Sequence, residues 1–193
     1  MDIRAARLRE VLTGGRIKGG VIRAHLEWLR RNHGESAVTH LVQSLPAHLS
    51  TEISSALPSS WCSFESVVTL DRAIAQQHGN NVLKDLGRFS AKINLDTTYR
   101  LFKREDIHEF FRRSVALHAQ FMDFGTVVYE QSGDHGGRML HSGYPCYSPT
   151  YCASAIGYYE EALRIHGGRN VIVSESSCQC GGDAACTFVM RWS

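Results

Sequence analysis

Apolar positions in the first two-thirds of the chain recur at helical spacing, whereas those of the last third alternate. From Gly19 to His33, the residues Val21, Ile22, Leu26, Trp28 and Leu29 mark one helical face, and Gly34 supplies a stop. The same reading predicts helices over Glu35–Ser44, Ser63–Gln77, Asn81–Phe89 and Lys103–Phe124. The last carries a wide apolar stripe that includes Ile107, Phe110, Phe111, Val115, His118, Phe121 and Met122. After Gly125 the period falls to two: TVVYEQ and RMLHSGY flank a glycine-rich turn and predict a hairpin. A helix follows, with Pro149 at its start and Gly167 at its end, as helix chemistry prefers. NVIVSE and CTFVMRW then predict a second hairpin. The expectation is an α+β fold: a helical part over residues 1–124, then a ββαββ unit over residues 125–193 that forms a four-stranded antiparallel sheet.

Length and composition fit this picture. A chain of 193 residues is long enough to bury a core without disulfides, and 43% hydrophobic with 21% charged residues is ordinary for a globular protein. No apolar run is long enough to span a membrane, and the opening MDIRAARLREVL lacks the features of a secretory signal, so a cytoplasmic location is expected. The formal charge of +2 gives no general reason to expect nucleic acid, and the locally basic first 31 residues are read as a solvated helix face. Nucleophile elbow, phosphate loop and dinucleotide fingerprint are all missing, which argues against an enzyme.

The chemistry concentrates in the last hairpin. Glu175 ends one strand, Cys178 follows, and Cys186 opens the next, with Gly181 and Gly182 between them to turn the chain. In a reducing compartment such clustering favours metal binding or plain burial over a disulfide. Zinc takes four N, S or O ligands at about 2.0 to 2.3 Å. The hairpin offers three good ones, so a fourth must come from elsewhere, and Cys146 and Cys152 are the nearest candidates. Cys180 lies between two ligands and could compete for the metal, but it reads better as a thiol at the surface or just behind the ligands; Cys62 and Cys146 have no assigned chemistry.

The run Cys152-Ala-Ser-Ala-Ile-Gly157-Tyr158, together with Val171 to Glu175, Cys178, Gly182 and Cys186, resembles the 4-vinyl reductase domain. That ligand-binding family includes bacterial sensors of phenols and other aromatic hydrocarbons. The resemblance implies a structural zinc held by Cys152, Glu175, Cys178 and Cys186, which would pin the crossover helix to the last hairpin. It also implies a sensory role without catalysis, a small hydrophobic or aromatic ligand between the helical part and the sheet, a homodimer, and a protein signalling partner in trans. His108, Phe111, His118, Phe121, Tyr129, His141 and Tyr144 are the candidate pocket residues. The superfamily extends to haem-based nitric oxide sensors and to vesicle-tethering subunits, so fold does not settle function, and an interaction or scaffold protein or a tetrapyrrole- or haem-binding protein are the alternatives. The strand that in the haem branch carries Tyr-x-Ser-x-Arg reads Leu140-His141-Ser142-Gly143-Tyr144, retaining only the serine, and haem is therefore not expected.

Overall fold

The computed structural model describes residues 8–97 and 106–193. The element order is β1 (Arg16–Lys18), α1 (Gly20–His33), α2 (Glu35–Gln43), α3 (Ala47–Ser55), β2 (Trp61–Ser63), α4 (Phe64–His78) and α5 (Val82–Thr97), followed by α6 (Ile107–Ala116) and α7 (His118–Phe121). The final unit is β3 (Thr126–Gln131), β4 (Gly136–Ser142), α8 (Pro149–Ile165), β5 (Ile172–Ser177), a 3-10 turn at Gln179–Gly181, and β6 (Ala185–Arg191). Its four strands form one sheet in the order β3-β4-β6-β5, every neighbouring pair antiparallel. The α+β expectation is thus met, with the crossover helix α8 packed against β5 and β6.

Several helical boundaries differ from the sequence reading. The helix expected to end at Phe89 continues as α5 to Thr97, and α3 forms where no helix was expected. The start of the long helix predicted from Lys103 lies outside the described residues, as do Met1 to Arg7 of the basic N-terminal stretch. From Asp106 onward that helix is two pieces. Asp106 caps α6 by accepting from the backbone N–H groups of His108 and Glu109. The chain then turns at Leu117, because the segment beyond it is anchored elsewhere. Met122 bridges to Ile17, the Asp123 carboxylate accepts from the Arg16 backbone and guanidinium at 2.6 Å each, and His118 bonds the Phe124 carbonyl. Tertiary anchors here override a continuous helical pattern. The short ribbon of β1 and β2 was not predicted either: three residues per strand are too few to show a period.

Two features position the functional region. Helices α5 and α8 cross backbone to backbone at a glycine pair: a Cβ on Gly157 would lie 2.0 Å from the Lys84 carbonyl oxygen, and one on Gly87 would lie 1.9 Å from that of Ser154. Only glycine permits such an approach. The second feature is the N-terminal strap. The Arg9 amide donates to the Cys180 carbonyl at 2.8 Å, and Val11 and Tyr147 exchange two backbone hydrogen bonds. Between them, Glu10 accepts from Arg72 and from Ser148, the residue that caps α8.

The sheet buries one face against the helices. Val127, Met139, His141, Cys186, Phe188, Met190 and Val173 are buried, and their pairings (Val127 with His141, His141 with Cys186, Met139 with Phe188, Met190 with Val173) put them on that inner face.

Candidate metal centre and cavity

Glu175 pairs with Phe188 and so shares the inner face. In a regular strand, Cys178, three residues on, would point the opposite way. The register slips by one residue between Glu175 and Ser177, so that Ser177 stands opposite Thr187 on the outer face and Cys178 comes next on the inner one. This irregularity lets an acid and a thiol three apart meet. The 3-10 turn then reverses the chain, with Gly182 in the left-handed region at φ +100°, and β6 brings in Cys186. Cys152 arrives from the first turn of α8, whose Pro149 start and Ser148 cap fix the helix entry. Its sulfur therefore sits near the positive end of the helix dipole, which favours a thiolate.

The three sulfurs are 3.8 Å (Cys152 to Cys186) and 3.9 Å (Cys152 to Cys178 and Cys186 to Cys178) apart. A tetrahedral cation with metal–sulfur bonds of about 2.3 Å spaces its sulfurs about 3.8 Å apart, whereas a disulfide needs about 2.05 Å. One donor atom from each of Cys152, Glu175, Cys178 and Cys186 lies within 4.8 Å of all the others. The Glu175 Oε1 atom is buried and has no hydrogen-bond partner. A carboxylate oxygen left so in a protein interior is costly unless a cation or donor meets it. Sulfur spacing, an orphaned oxygen and a soft-plus-hard donor set all fit a zinc-like dication.

The Gln179 N–H donates to the Cys186 sulfur at 3.3 Å, and the Cys178 N–H donates to the Asp183 carboxylate at 2.8 Å, which holds the turn closed. Without a cation, the crowded thiols compete for protons. Hydrogen bonding with Cys180 and Cys186, then burial, pushes Cys152 far up, while hydrogen bonding with Cys152 lowers Cys186. Cys180 is fully buried and interacts with both Cys152 and Cys178, so of its two readings the surface thiol is excluded and a thiol just behind the ligands remains. The turn faces it inward, where its carbonyl receives the strap. Cys146, the other sequence candidate for a fourth ligand, packs against Gly15, and burial pushes its thiol up to about 12.

A cavity of about 160 Å³ lies between the helices and the sheet. Its walls come from β1, α1, α5, α6, α7, α8, β3 and β4. Of the seven sequence candidates, His118, Phe121 and His141 line it. The other four lie outside it for packing reasons. His108 bonds the Tyr129 hydroxyl and the Asp134 carbonyl, and Phe111 stacks on Tyr129, so these three form an aromatic group near Trp192. Tyr144 packs edge-on against Phe124 beside a smaller void next to the cysteines. Burial holds His141 well down, to about 3, and it meets the Tyr159 hydroxyl at 2.6 Å as a neutral ring. Burial also lowers His118. Two wall residues absent from the sequence reading are His25 and Ser90, from α1 and α5. A signal for the first existed: His25 falls on the apolar face marked by Ile22, Leu26 and Leu29.

No family model matches the chain, and no curated protein matches it. Solved structures do. An H-NOX protein from S. oneidensis in the Fe(II)NO state superposes with a TM-score of 0.69 at 14% identity, covering 92% of this chain and 99% of that one. An oxygen-binding H-NOX domain related to soluble guanylate cyclases gives 0.69 at 14% identity, over 92% and 95%. A further structure, from work on haem distortion in the H-NOX family, gives 0.70 at 14% identity, over 92% and 95%. At this identity the likeness establishes the fold alone. It also corrects one expectation: haem was not expected because Leu140 and Tyr144 depart from the haem motif, yet the structures of this fold include haem domains, and His118 stands on the wall of the cavity.

Proposed function

We propose that the chain is a non-enzymatic sensory domain of the 4-vinyl reductase type, in which residues 1–124 and 125–193 together enclose a small hydrophobic or aromatic ligand. Zinc held by Cys152, Glu175, Cys178 and Cys186 ties α8 to the last hairpin. All four positions are taken by protein, so the ion is structural and offers no open site for hydrolysis. Ligand occupancy is passed as a homodimer to a protein partner in trans.

The observation that carries this reading is the cavity. Its volume of about 160 Å³ is close to that of an engineered apolar cavity of about 150 Å³ that binds benzene. A single ring is therefore the size of ligand that the walls support. Native mass spectrometry of the purified protein tests both parts: one zinc per chain and a bound organic mass are expected. Cys152→Ser should abolish the zinc, and unchanged stoichiometry in that variant would refute the four-ligand assignment.

A second reading, a haem-type tetrapyrrole between the same walls, is supported by the fold likeness and by His118, which could supply a nitrogen ligand once it gives up its 3.2 Å bond to the Phe124 carbonyl; a macrocycle would need those walls to part well beyond the present cavity of about 160 Å³. Titration with haemin distinguishes the two. A Soret band that saturates at one equivalent and is lost in His118→Ala would favour the tetrapyrrole, and no such band would favour the small ligand.

A further inference from the structure

Five donor side chains crowd a centre whose tetrahedral ion needs four: Cys152, Glu175, Cys178 and Cys186, and beside them Cys180. Cys180 stands midway along the 3-10 turn between Cys178 and Cys186 and is only 1% exposed. A buried thiol ordinarily fills space as a small apolar group. This one has no such neighbours: its sulfur hydrogen-bonds with the Cys152 and Cys178 thiols and lies in the field of the Glu175 carboxylate. It therefore rests against one edge of the sulfur triangle, the edge that measures 3.9 Å between Cys152 and Cys178.

The turn fixes the Cys180 backbone and leaves its sulfur free to turn. Its amide donates to the Cys178 sulfur, and its carbonyl accepts from the Arg9 amide at 2.8 Å. With both backbone groups tied, the sulfur moves only by rotation about its one side-chain torsion. Glu175 reaches the centre on a longer stem, and its Oε1 atom has no other partner to hold it there. Three sulfurs fill three corners of a tetrahedron, so the carboxylate and the Cys180 thiol compete for the last. The cation decides between them. Carboxylate oxygen suits hard ions and thiolate suits soft ones, while zinc is borderline and accepts both.

We propose that Cys180 is an alternative fourth ligand, and that a thiophilic cation softer than zinc, such as cadmium or cuprous copper, exchanges Glu175 for Cys180 and is held by four thiolates. One metal–oxygen bond gives way to one metal–sulfur bond. The Cys180 proton passes to the released carboxylate, so the net charge of the site is unchanged. The cluster then ranks ions by softness, taking zinc through a mixed donor set and softer ions more tightly through sulfur alone. The proposal rests on the reading of the cluster as a metal centre and adds the class of ion that it takes beyond zinc.

Zinc and cadmium serve as probes. The zinc-loaded full chain is dialysed under reducing conditions against mixtures of the two, and the bound metals are counted by elemental analysis. A thiol that merely supported the ligands would cost both ions about the same 10- to 100-fold when removed, leaving their ratio unchanged. As a ligand for cadmium alone, Cys180 should set that ratio: in Cys180→Ser the preference for cadmium over zinc should fall by at least about tenfold. In Glu175→Gln the preference should rise, because zinc loses its oxygen ligand and cadmium does not. Cadmium NMR, whose resonance moves downfield with each added thiolate, should place wild type and Glu175→Gln together and Cys180→Ser upfield of both. Should Cys180→Ser fail to fold, wild type and Glu175→Gln still decide the matter. An unchanged ratio in Cys180→Ser, or a cadmium resonance that moves in Glu175→Gln, would overturn the proposal and leave the zinc centre standing. A wild-type chain that takes up neither metal would remove the metal centre and the proposal together.

Discussion

Replacing Gly157 with alanine attacks the fold at its tightest point. The added Cβ would lie 2.0 Å from the Lys84 carbonyl oxygen and 2.7 Å from the Lys84 carbonyl carbon and Cα. Real Cβ contacts shorter than 3.0 Å are essentially unknown. The obstacle is helical backbone, which cannot swing aside like a side chain, so α5 and α8 must part by about 1 Å along much of their crossing. Overpacking of a tight interior costs about 1–3 kcal/mol, and a backbone clash belongs at the upper end. For a chain of this size each kcal/mol lowers Tm by roughly 2–4 °C, so Gly157→Ala should melt about 6–12 °C below wild type. The assay is a thermal melt followed by circular dichroism on zinc-loaded protein at matched concentration. Gly20→Ala is the control: its Cβ would meet nothing nearer than the Pro58 carbonyl oxygen at 3.5 Å, and its Tm should stay within about 2 °C of wild type. If Gly157→Ala melted as close to wild type as the control, the close crossing would be refuted as a determinant of stability.

Other outcomes follow from single contacts. Asp183→Ala removes the carboxylate that receives the Cys178 N–H, and should weaken zinc about 10- to 100-fold in competition with a chelator while leaving one site per chain. The folded protein holds His141 neutral down to about 3 against an ordinary 6.5, so the unfolded chain binds more protons between those values. Stability is therefore intact above pH 6.5 and declines below it, by roughly 2–3 kcal/mol on reaching pH 4.5, as urea titrations at several pH values would measure. A flat profile over that window would sink this assignment. Arg88→Met removes a guanidinium that reaches Glu160 at 2.6 Å and Asp85 at 2.7 Å. Lys84 and Arg164 remain beside Glu160, so the loss should be about 1–2 kcal/mol by urea denaturation.

What the sequence disclosed and what it hid divide along physical lines. Helix α8 was legible because Pro149 and Gly167 punctuate it, and the hairpins because a period of two persists over six or seven residues. The set of three cysteines and Glu175 could be assembled from a family resemblance, but the reason that Glu175 and Cys178 face the same way could not. A one-residue slip in register leaves no mark in composition. The break at Leu117 was hidden because its causes, Ile17, Arg16 and Phe124, act through space. The cavity was hardest to read: its wall draws on eight elements, and of the seven residues expected there from the family resemblance only His118, Phe121 and His141 line it.

The strap that runs beneath the cysteine turn has a consequence for the order of events in folding. It joins the ninth residue to the 180th by one backbone hydrogen bond, and the tenth to the cap of α8. Contacts between such distant points close late, after the entropy of the intervening loop has been overcome. On a ribosome the helices emerge first and must wait for the final hairpin before their leading edge can be fastened. Were the proposed zinc bound there, its capture by that hairpin would be the last step of assembly, the latch that turns a set of nascent helices into a closed molecule.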